Sequence, residues 1–263
     1  MPVIDSNPQQ NTFEFDNGIT ISSDFDSGNL SRCVQNADDP YHFHLYPSGD
    51  GLPYSNVGHY KTWFYFSVKG IKAGDTLTFN VRNMAQQGKL YKAGLKPVFR
   101  VTPNSKKWKR CGGTVTWAYM NEGFSLTWTH HFNAFNSERD DTAYFAWTYP
   151  YSFEETLKKT RKIVKRFENH EQIYVHREVL YYSREHRPME LLTFTDKCGM
   201  TEEREETIEG LFPEHSDTDP TKMRPFKFDK QTIFLSCRVH PGETPASYVL
   251  NGIFNFITNE KSE

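Results

Sequence analysis

The stretch Gln231–Thr258, QTIFLSCRVHPGETPASYVLNGIFNFIT, sets the reading of the whole chain. Its apolar opening, Thr232 to Leu235, predicts a buried strand. The compact His240-Pro241-Gly242-Glu243 follows, and then a run with Val249, Leu250, Ile253, Phe254 and Ile257 at helical spacing. Strand, tight turn and helix together present polar side chains at a sheet edge. Thr244 is placed to cap the helix, and Pro245 suits its first position because proline has no N–H to leave unpaired. His240 and Glu243, three apart on a turn made compact by Pro and Gly, offer one imidazole nitrogen and one carboxylate oxygen to a single metal ion. Zinc takes that pair in hydrolytic sites, together with a third protein ligand and a water. The competing reading is a helix-capping turn whose glutamate faces the dipole of the helix it precedes.

Working back from this stretch, residues 1–151 read as an all-β antiparallel sandwich. Strands are expected at Ile19–Phe25, Trp63–Val68, Thr76–Asn83, Pro97–Thr102, Thr114–Met120, Phe124–Phe132 and Thr142–Tyr149, with turn residues between them. Trp63–Val68 is apolar on both faces, whereas Thr76–Asn83 alternates Leu77, Phe79 and Val81 with polar residues, as a half-buried strand does. His42 and His44 share one strand face and are a second metal candidate, against the plainer reading of a packing pair. His130 reads as a core histidine beside Leu126 and Trp128.

A second region is expected over 152–263. Ser152 to Glu155 matches a capping box, and the helix to Phe167 turns Leu157, Ile163, Val164 and Phe167 inward. Its other face carries six basic residues from Lys158 to Arg166, read mainly as a solvated face. Glu178–Ser183 and Met189–Thr195 form a hairpin, Thr201–Phe212 is acid-rich with some helix, and Pro213–Pro225 is a loop. The change from all-β to mixed elements marks the start of an α/β domain.

Composition bounds the function classes. With 31 Lys and Arg against 33 Asp and Glu, the net charge of −2 gives no global attraction to nucleic acid. No apolar run approaches the roughly 20 residues of a membrane span. The N-terminus lacks a basic region followed by an apolar one, so no secretory signal is expected. The four cysteines, Cys33, Cys111, Cys198 and Cys237, are widely spaced and read as reduced thiols.

Three stretches carry a resemblance: Phe25-Asp26-Ser27-Gly28-Asn29-Leu30, Trp63-Phe64-Tyr65-Phe66-Ser67-Val68, and Arg238-Val239-His240-Pro241-Gly242-Glu243-Thr244-Pro245. Arg224-Pro225-Phe226 and Phe145–Ser152 fit the same pattern. Together they resemble the cytosolic carboxypeptidases, zinc carboxypeptidases with an N-terminal β-sandwich, and within them the fifth member, a deglutamylase of polyglutamylated tubulin. The resemblance implies one zinc ion held in part by His240 and Glu243. It also implies removal of glutamate from polyglutamylated tubulin or other glutamate-rich tails, a cytoplasmic place, and association with microtubules. The family's third ligand, general base and carboxylate-binding residues lie downstream of its His-x-x-Glu. No catalytic residue is therefore assigned here, and the expectation is of a C-terminally truncated chain, inactive alone. The alternatives are a non-enzymatic sandwich that binds acidic tails and a zinc amidohydrolase of the acylase kind.

Overall fold

The computed structural model describes residues 11–51, 60–103, 105, 107–133, 135–136 and 140–258. The chain divides into two compact units, Met1–Ser152 with Cys237–Gly252, and Phe153–Ser236 with Ile253–Glu263. The sequence-based partition set 152–263 apart as one domain. The structure instead gathers Cys237–Gly252 with the first unit, because side chains of that segment hydrogen-bond to residues 149–151.

The first unit contains β1 (Thr12–Glu14), β2 (Thr20–Ser22), β3 (Arg32–Gln35), β4 (His42–Tyr46), β5 (Tyr65–Lys69), β6 (Thr76–Met84), the short helix α1 (Gly88–Lys92), β7 (Val98–Thr102), β8 (Lys109–Arg110), β9 (Val115–Met120), β10 (Gly123–His131) and β11 (Thr142–Ala146). Two sheets form, ordered β1-β2-β5-β11-β7-β8 and β3-β4-β6-β10-β9. Pairing is antiparallel apart from β4, which runs parallel to β6. The predicted strands are present, some with shorter and some with longer ends. β1, β3 and β8 carry no alternation long enough to announce them, and pairing with neighbouring strands makes them strands.

The inner faces fill with aromatic rings. Leu77, Phe79 and Val81 of β6 meet Phe64, Phe66 and Val68 around β5, all fully buried. Phe79 and Phe145 lie 4.8 Å apart, Phe66 and Phe145 5.5 Å, and Phe64 and Trp128 5.8 Å. The other face of β5 is covered as well: Trp63 and Tyr65 pack with Val98 and Ala146 in a second cluster, flanked by Phe25, Trp108, Tyr144 and Trp147. Trp63 is anchored further by its indole N–H on the Ser27 carbonyl at 2.8 Å. Ser27 lies in the left-handed region (φ 70°), and a Cβ at Gly28 would sit 2.1 Å from the Ser23 carbonyl oxygen. Only glycine fits that turn.

The second unit contains α2 (Phe153–Phe167), β12 (Ile173–Tyr182), β13 (Pro188–Asp196), β14 (Met200–Arg204) and β15 (Phe226–Phe228). Thr160, Ile163 and Phe167 are the buried residues of α2. β12 and β13 form the expected hairpin, paired from Ile173↔Asp196 to Tyr182↔Pro188 with a shift of register between Val179 and Tyr181. In place of the helical content expected in Thr201–Phe212, β14 pairs with β15. The last helix, α3 (Thr244–Ile257), gives its residues up to Gly252 to the first unit and the remainder to the second.

Two expectations from the opening stretch are corrected. Thr232–Leu235 is not a buried strand: it has no ladder partner, and Ile233, Phe234 and Leu235 are 83%, 72% and 55% exposed. A strand exists only through its neighbours, and among the described residues none pairs with it. The apolar positions of α3 do not form a buried face either. Val249 is 65% exposed, and the buried residues of α3 are Thr244 and Ser247.

Candidate metal centre

The predicted ligand turn closes locally, with the Glu243 N–H donating to the His240 carbonyl at 3.1 Å and the Ala246 N–H to the Glu243 carbonyl at 3.0 Å. His240 and Glu243 are both exposed, three residues apart at the N-terminal side of α3. Neither side chain is engaged in a hydrogen bond among the described residues. Gly242 between them is buried, and a Cβ there would lie 3.1 Å from the Thr62 methyl, so the turn sits closely on the segment before β5.

Side-chain hydrogen bonds fix this turn from both ends. On the N-terminal side Arg238 takes the left-handed conformation (φ 56°). Its Nε and one terminal nitrogen donate to the Pro241 carbonyl at 3.2 and 3.1 Å. The other terminal nitrogen donates to the Tyr151 carbonyl. On the C-terminal side the fully buried Thr244 gives its hydroxyl to the Tyr149 carbonyl at 2.8 Å. The hydroxyl expected to cap the helix is thus a donor to a neighbouring segment. Tyr248 donates to the Pro150 carbonyl at 2.6 Å, and the Asn251 amide donates to the Tyr151 hydroxyl at 2.9 Å.

Charges converge on the same place. Asp50 reaches the site because its N–H pairs with the Tyr60 carbonyl at 2.8 Å, two residues before Thr62. Burial pushes the Asp50 carboxyl above its ordinary range, and nearby His240 draws it back down. Burial lowers the Arg238 guanidinium from its ordinary value, opposed by Cys237, Asp26, Tyr151 and Tyr248. Asp26 belongs to the turn that carries Gly28, so two of the stretches singled out in the sequence meet in space. Asp50, Thr62 and the carbonyls of 149–151 escaped notice in the sequence because no local pattern ties them to a turn about a hundred or more residues away.

The donor set fits zinc in kind, one imidazole and one carboxylate, both open to solvent. It falls short in number, since among the described residues no group of three or more His, Cys, Asp or Glu is gathered to hold a metal. The other histidines singled out in the sequence are His42, His44 and His130, and of these His42 keeps a buried Nε2 with no partner among the described residues. His42 and His44 share a face of β4 with rings 4.7 Å apart. His44 Nδ1 is hydrogen-bonded to Asn80 Oδ1 at 3.1 Å and its Nε2 lies 3.4 Å from the Asn36 amide, which leaves neither nitrogen for a metal. His130 is buried against Phe99 and Phe132, with centroids at 4.4 and 4.6 Å.

Residues 21–147 match the family described as the cytosolic carboxypeptidase N-terminal domain. Human cytosolic carboxypeptidase-like protein 5 is 35% identical over 91% of this chain and 30% of its own length. Mouse cytosolic carboxypeptidase 6 is 28% identical over 92% of this chain and 38% of its own length, and mouse cytosolic carboxypeptidase 1 is 29% identical over 95% and 20%. A solved metallo-carboxypeptidase from Pseudomonas aeruginosa, in complex with (2-guanidinoethylmercapto)succinic acid, aligns at 24% identity and a TM-score of 0.42 over 65% of this chain and 39% of its own. The chain spans between 20% and 38% of the length of the curated relatives named here. The chain is thus similar to the cytosolic carboxypeptidases over nine tenths of its length, and its β-sandwich is the part that matches their N-terminal domain.

Proposed function

We propose that His240 and Glu243 are two of the zinc ligands of a metallocarboxypeptidase centre, and that the protein trims glutamate from the ends of polyglutamylated chains such as tubulin tails in the cytoplasm. One observation carries the reading: in a chain so similar to this family, His240 and Glu243 are exposed, neither side chain is hydrogen-bonded among the described residues, and the turn is tied by hydrogen bonds at both ends. Zinc, once bound, would polarise a scissile carbonyl and lower the pKa of a water. The chain's own residues supply the setting. Arg238 and Thr244 hold the turn, Gly242 lets it lie against Thr62, and Asp50 places a carboxylate near the His240 ring.

Two protein donors hold zinc more weakly than the usual three. With two donors gathered among the described residues, the 263-residue chain is expected to bind zinc weakly and to release no glutamate by itself. Metal analysis after equilibrium dialysis tests this: zinc is retained by the natural chain and lost from His240→Ala and Glu243→Gln. Equal zinc in all three would overturn the ligand assignment. Glutamate release from a glutamylated peptide by this chain alone would overturn the claim of an incomplete centre.

A further inference from the structure

Arg238 occupies an unusual position. It is a non-glycine residue at φ 56°, a conformation disfavoured for L side chains, and its guanidinium is half-buried two residues before a proposed ligand. A side chain that only needed to be charged and exposed would require neither. What the conformation achieves is a fork. The strained backbone swings the guanidinium back over its own turn, where two of its nitrogens converge on the Pro241 carbonyl. A third reaches the Tyr151 carbonyl, in the segment that follows β11. The same segment receives Thr244 and Tyr248 from the other side of the turn. His240 and Glu243 are thus held on a loop pinned at both flanks.

We infer that Arg238 is the positioning residue of the metal turn: its planar fork ties the Pro241 carbonyl to the Tyr151 carbonyl and so sets the mutual placement of the His240 and Glu243 donor atoms. This rests on the proposed metal reading for its purpose, but not for its geometry. The fork needs guanidinium in particular, because lysine's three N–H donors radiate from one nitrogen on a flexible stem and have no fixed planar spread to span two carbonyls. Residues that orient metal ligands without touching the metal typically alter affinity by about 10–100-fold when removed.

The test uses the full chain and three variants, Arg238→Lys, Arg238→Ala and Arg238→Gly. Glycine relieves the backbone strain while deleting the fork, so it separates conformation from hydrogen bonding. The first readout is hydrogen–deuterium exchange of the amides of residues 239–246. Exchange there is expected to rise about tenfold in all three variants, with the amides of β5 and β11 unchanged and showing an intact sandwich. Millimolar guanidinium ion should restore protection in Arg238→Gly. The second readout is titration with Co2+ alone, followed by its visible absorption. A weaker affinity, by about tenfold, and an altered band are expected in each variant.

Turn amides of natural protection in Arg238→Gly would overturn the inference, since backbone conformation alone would then set the turn. So would natural affinity and an unchanged cobalt band in Arg238→Ala. If the natural chain gives no cobalt band while the exchange effect holds, the metal reading fails and the fork stands.

Discussion

At the scale of the residue, position in the sequence and role in the structure separate most clearly for the histidines. His240 and His130 are equally ordinary as letters. One is exposed on a turn, and the other is 8% exposed among phenylalanine rings. Burial pushes the His130 imidazole down to about 4, helped by neighbouring His131. An unfolded histidine titrates near 6.5. Above that pH both states are neutral and the group has no effect. Between about 6.5 and about 4 the unfolded chain takes up a proton that the folded chain refuses, so stability falls as the pH falls. The loss approaches about 3 kcal/mol once the pH is below both values. The thermal midpoint of the first unit should therefore drop more steeply from pH 7 to pH 4 in the natural chain than in His130→Leu. Parallel slopes would show that the ring is already solvated.

At the scale of the element, hydrophobic periodicity predicts a face but not what covers it. α2 shows the rule at work: Thr160, Ile163 and Phe167 turn inward. Its Thr160 hydroxyl and the Arg177 guanidinium converge on Glu190, whose side chain is 5% exposed. The polar face stays in solvent, with Lys158 paired to Glu154 one turn earlier at 3.2 Å. α3 and the run before it follow the same pattern in sequence and come out differently. Ile233, Phe234, Val249 and Phe256 are 83%, 72%, 65% and 76% exposed. Apolar side chains exposed to this degree drive association. Phe234→Ser combined with Val249→Ser should lower light scattering at high protein concentration several-fold and leave the melting of the first unit unchanged. Equal scattering would place the sticky surface elsewhere.

At the scale of the whole molecule, the two units have separate cores. The larger of the sandwich's two apolar clusters includes the rings of Phe79, Phe66, Phe145 and Trp128. The second unit depends on one helix, two small sheets and charge pairs such as Glu178 with Arg224 at 2.7 Å. Units of such different construction should unfold in separate steps. Calorimetry is expected to show two transitions. Phe79→Ala removes a fully buried ring, costs about 4 kcal/mol, and should move one transition and not the other. A single transition shifted as a whole would mean that the units fold as one.

The boundary between what was legible and what was not follows from the range of the forces involved. Strand alternation in Thr76–Asn83, the two-faced burial of Trp63–Val68, the helix from Phe153 and the hairpin after it are all local patterns, and sequence alone determined them. So was the pairing of His240 with Glu243 on one turn, because three residues with Pro and Gly between them leave the chain little choice. Tertiary structure decided the rest. It gathered Cys237–Gly252 with the sandwich and brought Asp26 and Asp50 to Arg238 and His240. It turned the Thr244 hydroxyl from cap to anchor, and it left Thr232–Leu235 without a ladder. Those outcomes depend on hydrogen-bond partners far away in the chain, and no local periodicity encodes whether a distant partner is present.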